Sequence, residues 1–172
     1  MKLWRICRKQ FAAKPLDGKG GMLAAGRWHT PRRLVTYASD SLALASLEVL
    51  VHCDLDLLPS DLLAVEIEVP TEVEVTELTT SDLPRSWRRY PVPRVLQELG
   101  NNWLDEATTA VLRVPSAIVP TECNYLINPL HSDVKAIRIV RRFRFAFDER
   151  LASENKPSSS ALQRTKRKTS HR

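Results

Sequence analysis

Ser41 to His52 reads SLALASLEVLVH. Leucine, alanine and valine leave almost no polar stripe, the pattern of a helix apolar all round and packed inside a core. Glu48 interrupts it. An isolated ionised carboxylate costs several kcal/mol in such a place unless it is paired or neutralised. The first expectation is a core helix capped by Ser39 or Asp40 and running to about Cys53, with one charge inside that packing alone does not explain.

Outward from that helix, the chain alternates between the two periodicities. Lys2 to Cys7 predicts a strand, and residues 11–27, holding four of the five glycines, a loop. Leu34 to Ala38 predicts a short strand leading into the helix. Leu62 to Val69, LLAVEIEV, shows the period-two alternation of a half-buried strand, with residues 74–78 extending it or pairing with it. Residues 81–90 read as a short helix or turn, and Pro93 to Ala107 as an amphipathic helix. Strands are expected at 110–114 and 117–119, broken at Pro115-Ser116. Asn128-Pro129 marks a turn followed by a helical turn, and residues 136–147 a last long strand. Strands gather at both ends with helices between, which predicts one α+β domain over residues 1–150 rather than a doubly wound sheet.

Composition narrows the class. With 172 residues and 43% hydrophobic content, one domain with a real core is expected. Cys7, Cys53 and Cys123 are far apart and form no CxxC pair, so neither a disulfide framework nor a zinc site is signalled and a reducing compartment is expected. The opening MKLWRICRKQ lacks the apolar centre of a secretory signal. No uncharged run is long enough to span a bilayer, so a soluble, cytoplasmic protein is expected. The net charge of +6 is concentrated at the end: residues 151–172 carry six bases and one acid, leaving +1 for residues 1–150. That tail reads as disordered. A nearly neutral body with sparse aromatics argues against a basic nucleic-acid-binding module, which needs stacking platforms beside a basic groove.

GxGxxG, GxxxxGK[ST], HExxH and GxSxG are all absent from the sequence. The histidines are scattered, and Glu48 with His52 is a single i, i+4 pair, so no metal and no resident cofactor are expected. What stands out is a set of polar residues at the edges of elements. These are Arg27 in GRWHTP (26–31), Tyr37 in VTYAS (35–39), Glu48, Ser116 in RVPSAIVP (113–120), and Asn124 and Asn128 in TECNYLINP (121–129). Each alone has an ordinary structural explanation as an ion-pair partner, a core aromatic or a turn former.

Taken together and in this order, those blocks closely resemble the RES-domain toxins, named for arginine, glutamate and serine and encoded beside Xre-type antitoxins. The resemblance spans roughly residues 3–147. It departs at His29, where asparagine is common, and in the basic tail, which has no counterpart. It implies a compact α+β fold similar to ADP-ribosyltransferases and an activity that attacks NAD as substrate. Arg27, Tyr37, Glu48 and Ser116 match the family's active-site residues, and Asn124 the block after the serine. The resemblance further implies silencing by a small helical DNA-binding antitoxin that blocks the site, with DNA touched only through that partner.

Chemistry supplies a reason for the carboxylate. Breaking the nicotinamide–ribose bond builds positive charge on the ribose, and a glutamate fixed on a helix stabilises it without reorganising. Arg27 suits a bidentate grip on the pyrophosphate, and Tyr37 a stack on the cationic nicotinamide ring. Ser116 suits a hydrogen bond to the carboxamide or a phosphate. Water, inorganic phosphate as co-substrate, or a macromolecule remain open as acceptors of the ADP-ribose.

Overall fold

The computed structural model describes residues 1–54 and 57–153. Among these residues seven strands form one mixed sheet: β1 (Lys2–Arg8), β2 (Thr36–Ser39), β3 (Leu62–Glu68), β4 (Val75–Glu77), β5 (Val111–Pro115), β6 (Cys123–Ile127) and β7 (Arg138–Phe145), in the order β4-β5-β6-β2-β1-β3-β7. Only β4 and β5 run parallel; the other neighbours are antiparallel. The helices are α1 (Lys19–Leu23), α2 (Leu42–Leu50), α3 (Arg94–Glu106) and α4 (Arg150–Ser153). The architecture is the expected single α+β domain. No helix among the described residues is long and apolar enough to cross a membrane. The disorder expected for the tail concerns, from residue 154 onward, residues outside those described.

Alternation along the strands divides the core in two. Leu3, Cys7, Ala38, Val65, Ile67, Val111, Tyr125 and Ile127 pack on one face with Ala12, Val73 and Ile137. On the other face Leu112, Val114 and Leu126 meet Leu96 and Trp103 of α3, together with Trp28. Beside them, Ile6, Leu62 and Ala64 receive Ala45, Leu42 and Val49 of α2. Burying one such aliphatic side chain stabilises by about 1.5–3 kcal/mol, so α2 is held chiefly by this strip.

That geometry corrects the reading of Ser41–His52. Within α2 only Leu44 and Ala45 are fully buried, while Leu47 and, just past its end, Val51 are 38% and 58% exposed. A short helix laid on a sheet buries one face and leaves Leu47 and Val51 on the other exposed. The cap is Ser41, whose Oγ accepts from the Leu44 N–H at 3.0 Å. Asp40 and Ser39, the expected caps, are used across the sheet. Asp40 accepts from the Cys123 N–H and the Tyr125 hydroxyl, both at 2.7 Å, and Ser39 donates to Asn124. Helix α2 also stops at Leu50, three residues short of Cys53.

Two strand expectations fail. Residues 117–119 are not a strand, because the Ile118 and Val119 N–H groups turn back onto Ser116 Oγ at 3.1 Å each. Such a local side-chain acceptor competes with the ladder. The strand after the turn is instead β6, over residues for which no strand was expected. Residues 75–77 do not join β3 but lie at the opposite edge, parallel to β5.

Candidate active site

The site begins with a registered pair. Ser39 of β2 sits opposite Asn124 of β6, and the side-chain alternation that turns Ala38 and Tyr125 into one core turns Ser39, Asn124 and Tyr37 toward α2. Ser39 Oγ donates to Asn124 Oδ1 at 2.7 Å, and Asn124 Nδ2 donates to Glu48 Oε1 at 2.5 Å. A carboxylate only accepts, so it selects the amide N–H₂, and the amide oxygen is left to the serine hydroxyl. The bonds therefore run in one direction, from Ser39 through Asn124 to Glu48.

Ser116 completes the grip. It is fully buried. Its hydroxyl accepts the two N–H groups of the turn that follows and donates to Glu48 Oε1 at 3.1 Å. Both donors converge on one carboxylate oxygen. Oε2 has no partner among the described residues and is the oxygen available to a ligand. The turn itself is closed by Ser116 N–H to the Glu122 carbonyl at 3.0 Å. Glu122 in turn accepts from Ser41, the cap of α2, at 2.7 Å. The helix carrying Glu48 and the turn carrying Ser116 are thus pinned to each other.

Arg27 arrives on a loop held by α3. One edge of that helix presents Gln97, Gly100 and Asn101. Gln97 donates to the Gly26 carbonyl at 3.1 Å, and Asn101 both accepts from the Thr30 N–H and donates to its hydroxyl, at 3.2 and 3.0 Å. Between them Gly100 lies against Trp28; a Cβ there would stand 1.8 Å from the Trp28 carbonyl oxygen. Trp28 is 2% exposed and anchors the loop. Arg27 beside it sends Nη1 to the Trp87 carbonyl at 2.7 Å, while Nε and Nη2 have no acceptor among the described residues. Burial lowers the guanidinium below its usual value, and Glu48 partly restores it. The group stays cationic, since arginine begins far above neutral pH.

Tyr37 lies with these groups, its phenol pushed well above the ordinary range by burial first and also by Glu48. Its hydroxyl is 2.7 Å from His29 Nδ1. Arg27, Tyr37, Glu48, Ser116 and Asn124 are all therefore brought to one place around a single carboxylate. Asn128 stands apart, accepting from the Leu130 N–H at 3.0 Å as a turn former. His52, past the end of α2, makes no bond to Glu48. Two contributors were missed as site residues: Ser39, detectable from its two-residue spacing to Tyr37, and Arg88, which opposes the charge on Arg27. A depression of about 300 Å³ near Lys9, Leu63 and Arg144 lies at the start of β3 and gathers no comparable chemistry.

The chain is 40% identical over 152 residues to a Prs ADP-ribosylating toxin of Sphingobium sp., covering 86% of this chain and 94% of the relative. It is 37% identical over 159 residues to Toxin Res of Photorhabdus laumondii, covering 91% and 100%. Toxin Res of Pseudomonas putida is 39% identical over 141 residues, covering 81% and 92%. A chain of the M. tuberculosis MbcT–MbcA toxin–antitoxin complex has the same fold, with a TM-score of 0.66, 16% identity and 84% of each chain covered. The RES domain model matches residues 2–148, which takes in every strand and every residue bonded to Glu48, and the chain belongs to the RES domain family.

Proposed function

We propose that this protein is the toxin of a toxin–antitoxin pair and that it consumes NAD by breaking the nicotinamide–ribose bond. The observation that carries the reading is Glu48, with Oε1 held by Ser116 and Asn124 and Oε2 left for a ligand, in the field of Arg27 and Tyr37. The names of the Sphingobium, Photorhabdus and Pseudomonas relatives support the toxin assignment.

In this reading the C–N bond breaks with its electron pair leaving on nicotinamide. Positive charge grows on the ribose, and Glu48 Oε2 faces it. A carboxylate already aimed needs no reorganisation at that moment, which is where such groups contribute most. Arg27 holds the pyrophosphate through Nε and Nη2. Tyr37 offers its ring to the cationic nicotinamide, an attraction lost once the ring leaves neutral. Ser116 and Asn124 act on the substrate through Glu48, which they keep in place. The acceptor oxygen of water or inorganic phosphate then attacks the ribose carbon and gives up its proton to Glu48 Oε2, which passes it to solvent. NAD is substrate here, with no resident cofactor.

Transfer of ADP-ribose to a macromolecule is the second reading, favoured by the name of the Sphingobium relative. Both use the same bond cleavage. The test is to incubate pure protein with NAD, with and without phosphate and with and without cell extract, and identify products by mass spectrometry. Free ADP-ribose supports hydrolysis, its phosphorylated form phosphorolysis, and a mass increment on a protein or nucleic acid the transfer reading. NAD left intact in every arm would sink both.

The partner belongs to the same proposal: a small helical, DNA-binding antitoxin of Xre type that covers the site in the cytoplasm. Two observations support it, the toxin–antitoxin complex that shares this fold and the exposed Leu47 and Val51 flanking Glu48. If NAD cleavage continues unchanged in the purified complex, occlusion is wrong.

A further inference from the structure

His29 belongs to no step of the proposed chemistry, yet it is 2% exposed and both ring nitrogens are engaged. Nε2 lies 3.0 Å from the Ala24 carbonyl oxygen and Nδ1 2.7 Å from the Tyr37 hydroxyl. A carbonyl oxygen only accepts, so Nε2 carries the hydrogen. In the neutral ring Nδ1 is then a bare lone pair, and the phenol is the donor. Burial lowers His29 below its usual value and so favours that neutral form.

The surroundings are built for this pair. At Gly26 a Cβ would lie 2.6 Å from the Tyr37 hydroxyl and 2.7 Å from the His29 ring, so a side chain there would push the two apart. The Gly26 N–H donates to the His29 carbonyl at 3.1 Å, which closes the loop and fixes where the imidazole emerges. Tyr37 reaches the same point from β2, with the two rings tilted 47° and their centroids 5.5 Å apart. The phenolic oxygen lies on the axis of ring rotation. A bond there leaves ring flips free but restrains the side chain's lean, which decides whether its face is presented to a ligand.

We infer that His29 is a positioning residue: as the Nε2–H tautomer it accepts the Tyr37 phenolic proton and holds the Tyr37 ring where it faces the substrate. This rests on the proposed NAD reading for its consequence, though not for its geometry.

Long-range proton–nitrogen NMR of the full-length protein tests the geometry without reference to activity. The His29 ring is expected as a neutral Nε2–H tautomer, and Tyr37→Phe is expected to shift Nδ1 while leaving Nε2 nearly unchanged. An Nδ1–H tautomer, or an Nδ1 indifferent to Tyr37→Phe, overturns the inference even if NAD cleavage is confirmed. The functional arm compares His29→Leu, which fills the space without an acceptor, with His29→Asn, whose Oδ1 stands near the place of Nδ1. Loss of one buried hydrogen bond predicts about a ten-fold weaker NAD affinity for the leucine variant, largely regained in the asparagine variant. A folded His29→Leu protein with affinity and turnover within two-fold of wild type refutes a positioning role. Should that variant fail to fold, the NMR result on wild type and Tyr37→Phe decides. Should NAD prove not to be cleaved at all, the tautomer and its response to Tyr37→Phe still stand as the test of the pair.

Discussion

Glu48→Gln separates charge from shape at this site. Glu48 Oε1 accepts from Ser116 and Asn124. In the variant the glutamine oxygen can keep both bonds, and its N–H₂ takes the place of Oε2. The opposite amide orientation would set donors against donors, so only one is accommodated. Two charge-assisted bonds become neutral ones, a loss of roughly 1 kcal/mol each, or about 2 kcal/mol in all before relief of carboxylate desolvation. Against a typical stability of about 5–15 kcal/mol the protein stays folded. The transition state loses its facing charge, and removing one well-aimed electrostatic group typically costs about 100-fold or more in turnover. The expected outcome is a folded protein with NAD affinity within a few-fold of wild type and turnover down by about two orders of magnitude. Nicotinamide release measured by chromatography, isothermal titration with NAD and circular dichroism supply the three readings. A folded Glu48→Gln protein that turns over NAD within a few-fold of wild type refutes the catalytic role.

Arg27→Ala is expected to weaken NAD affinity about 10- to 100-fold, because a charge-assisted grip on the pyrophosphate acts on ground and transition states alike; Arg27→Lys, lacking the planar fork, should regain only part of it in the same titration. Gly100→Ala sets a Cβ against the Trp28 carbonyl oxygen. The overpacking should outweigh the roughly 1 kcal/mol of helix propensity gained, leaving urea denaturation lower by at least about 1 kcal/mol and activity reduced through the displaced Arg27 loop. The pH dependence of stability has a local source in Glu66, which is buried and paired with Lys2 at 2.7 Å and with Arg141. Lys2 first, then Arg141, hold its carboxyl below the ordinary value, so the folded state binds fewer protons than the unfolded. That contribution is complete above about pH 4.3 and is lost as pH falls through the lower folded value. Thermal melts from pH 6 to pH 3 should fall more steeply for wild type than for Glu66→Gln; parallel curves would exclude the pair as the source.

Much of this protein is written in local patterns. The amphipathic period of residues 93–107 became α3, Lys2 to Cys7 became β1, and LLAVEIEV became β3, because each element buries a face that its own spacing already defines. The blocks carrying Arg27, Tyr37, Glu48, Ser116 and Asn124 were likewise legible, though only as a set, since each residue alone is an ordinary surface, core or turn residue. Distant pairing was not legible. Cys123–Ile127 mixes polar with apolar residues and becomes a buried strand only because β2 and β5 flank it on both sides. Asp40 and Ser39 look like helix caps until β6 lies beside them and offers an N–H, a phenol and an amide to bind. Glu48 looked buried on all sides because its neighbours are apolar, whereas a helix lying on a sheet has one open face. Sequence alone determined which chemical groups this chain possesses and the elements that carry them. Tertiary structure alone decided that two donors meet on one oxygen of Glu48 and that His29 Nδ1 comes within hydrogen-bond distance of the Tyr37 hydroxyl, because hydrogen bonds are set by distance and direction between elements that local spacing does not encode.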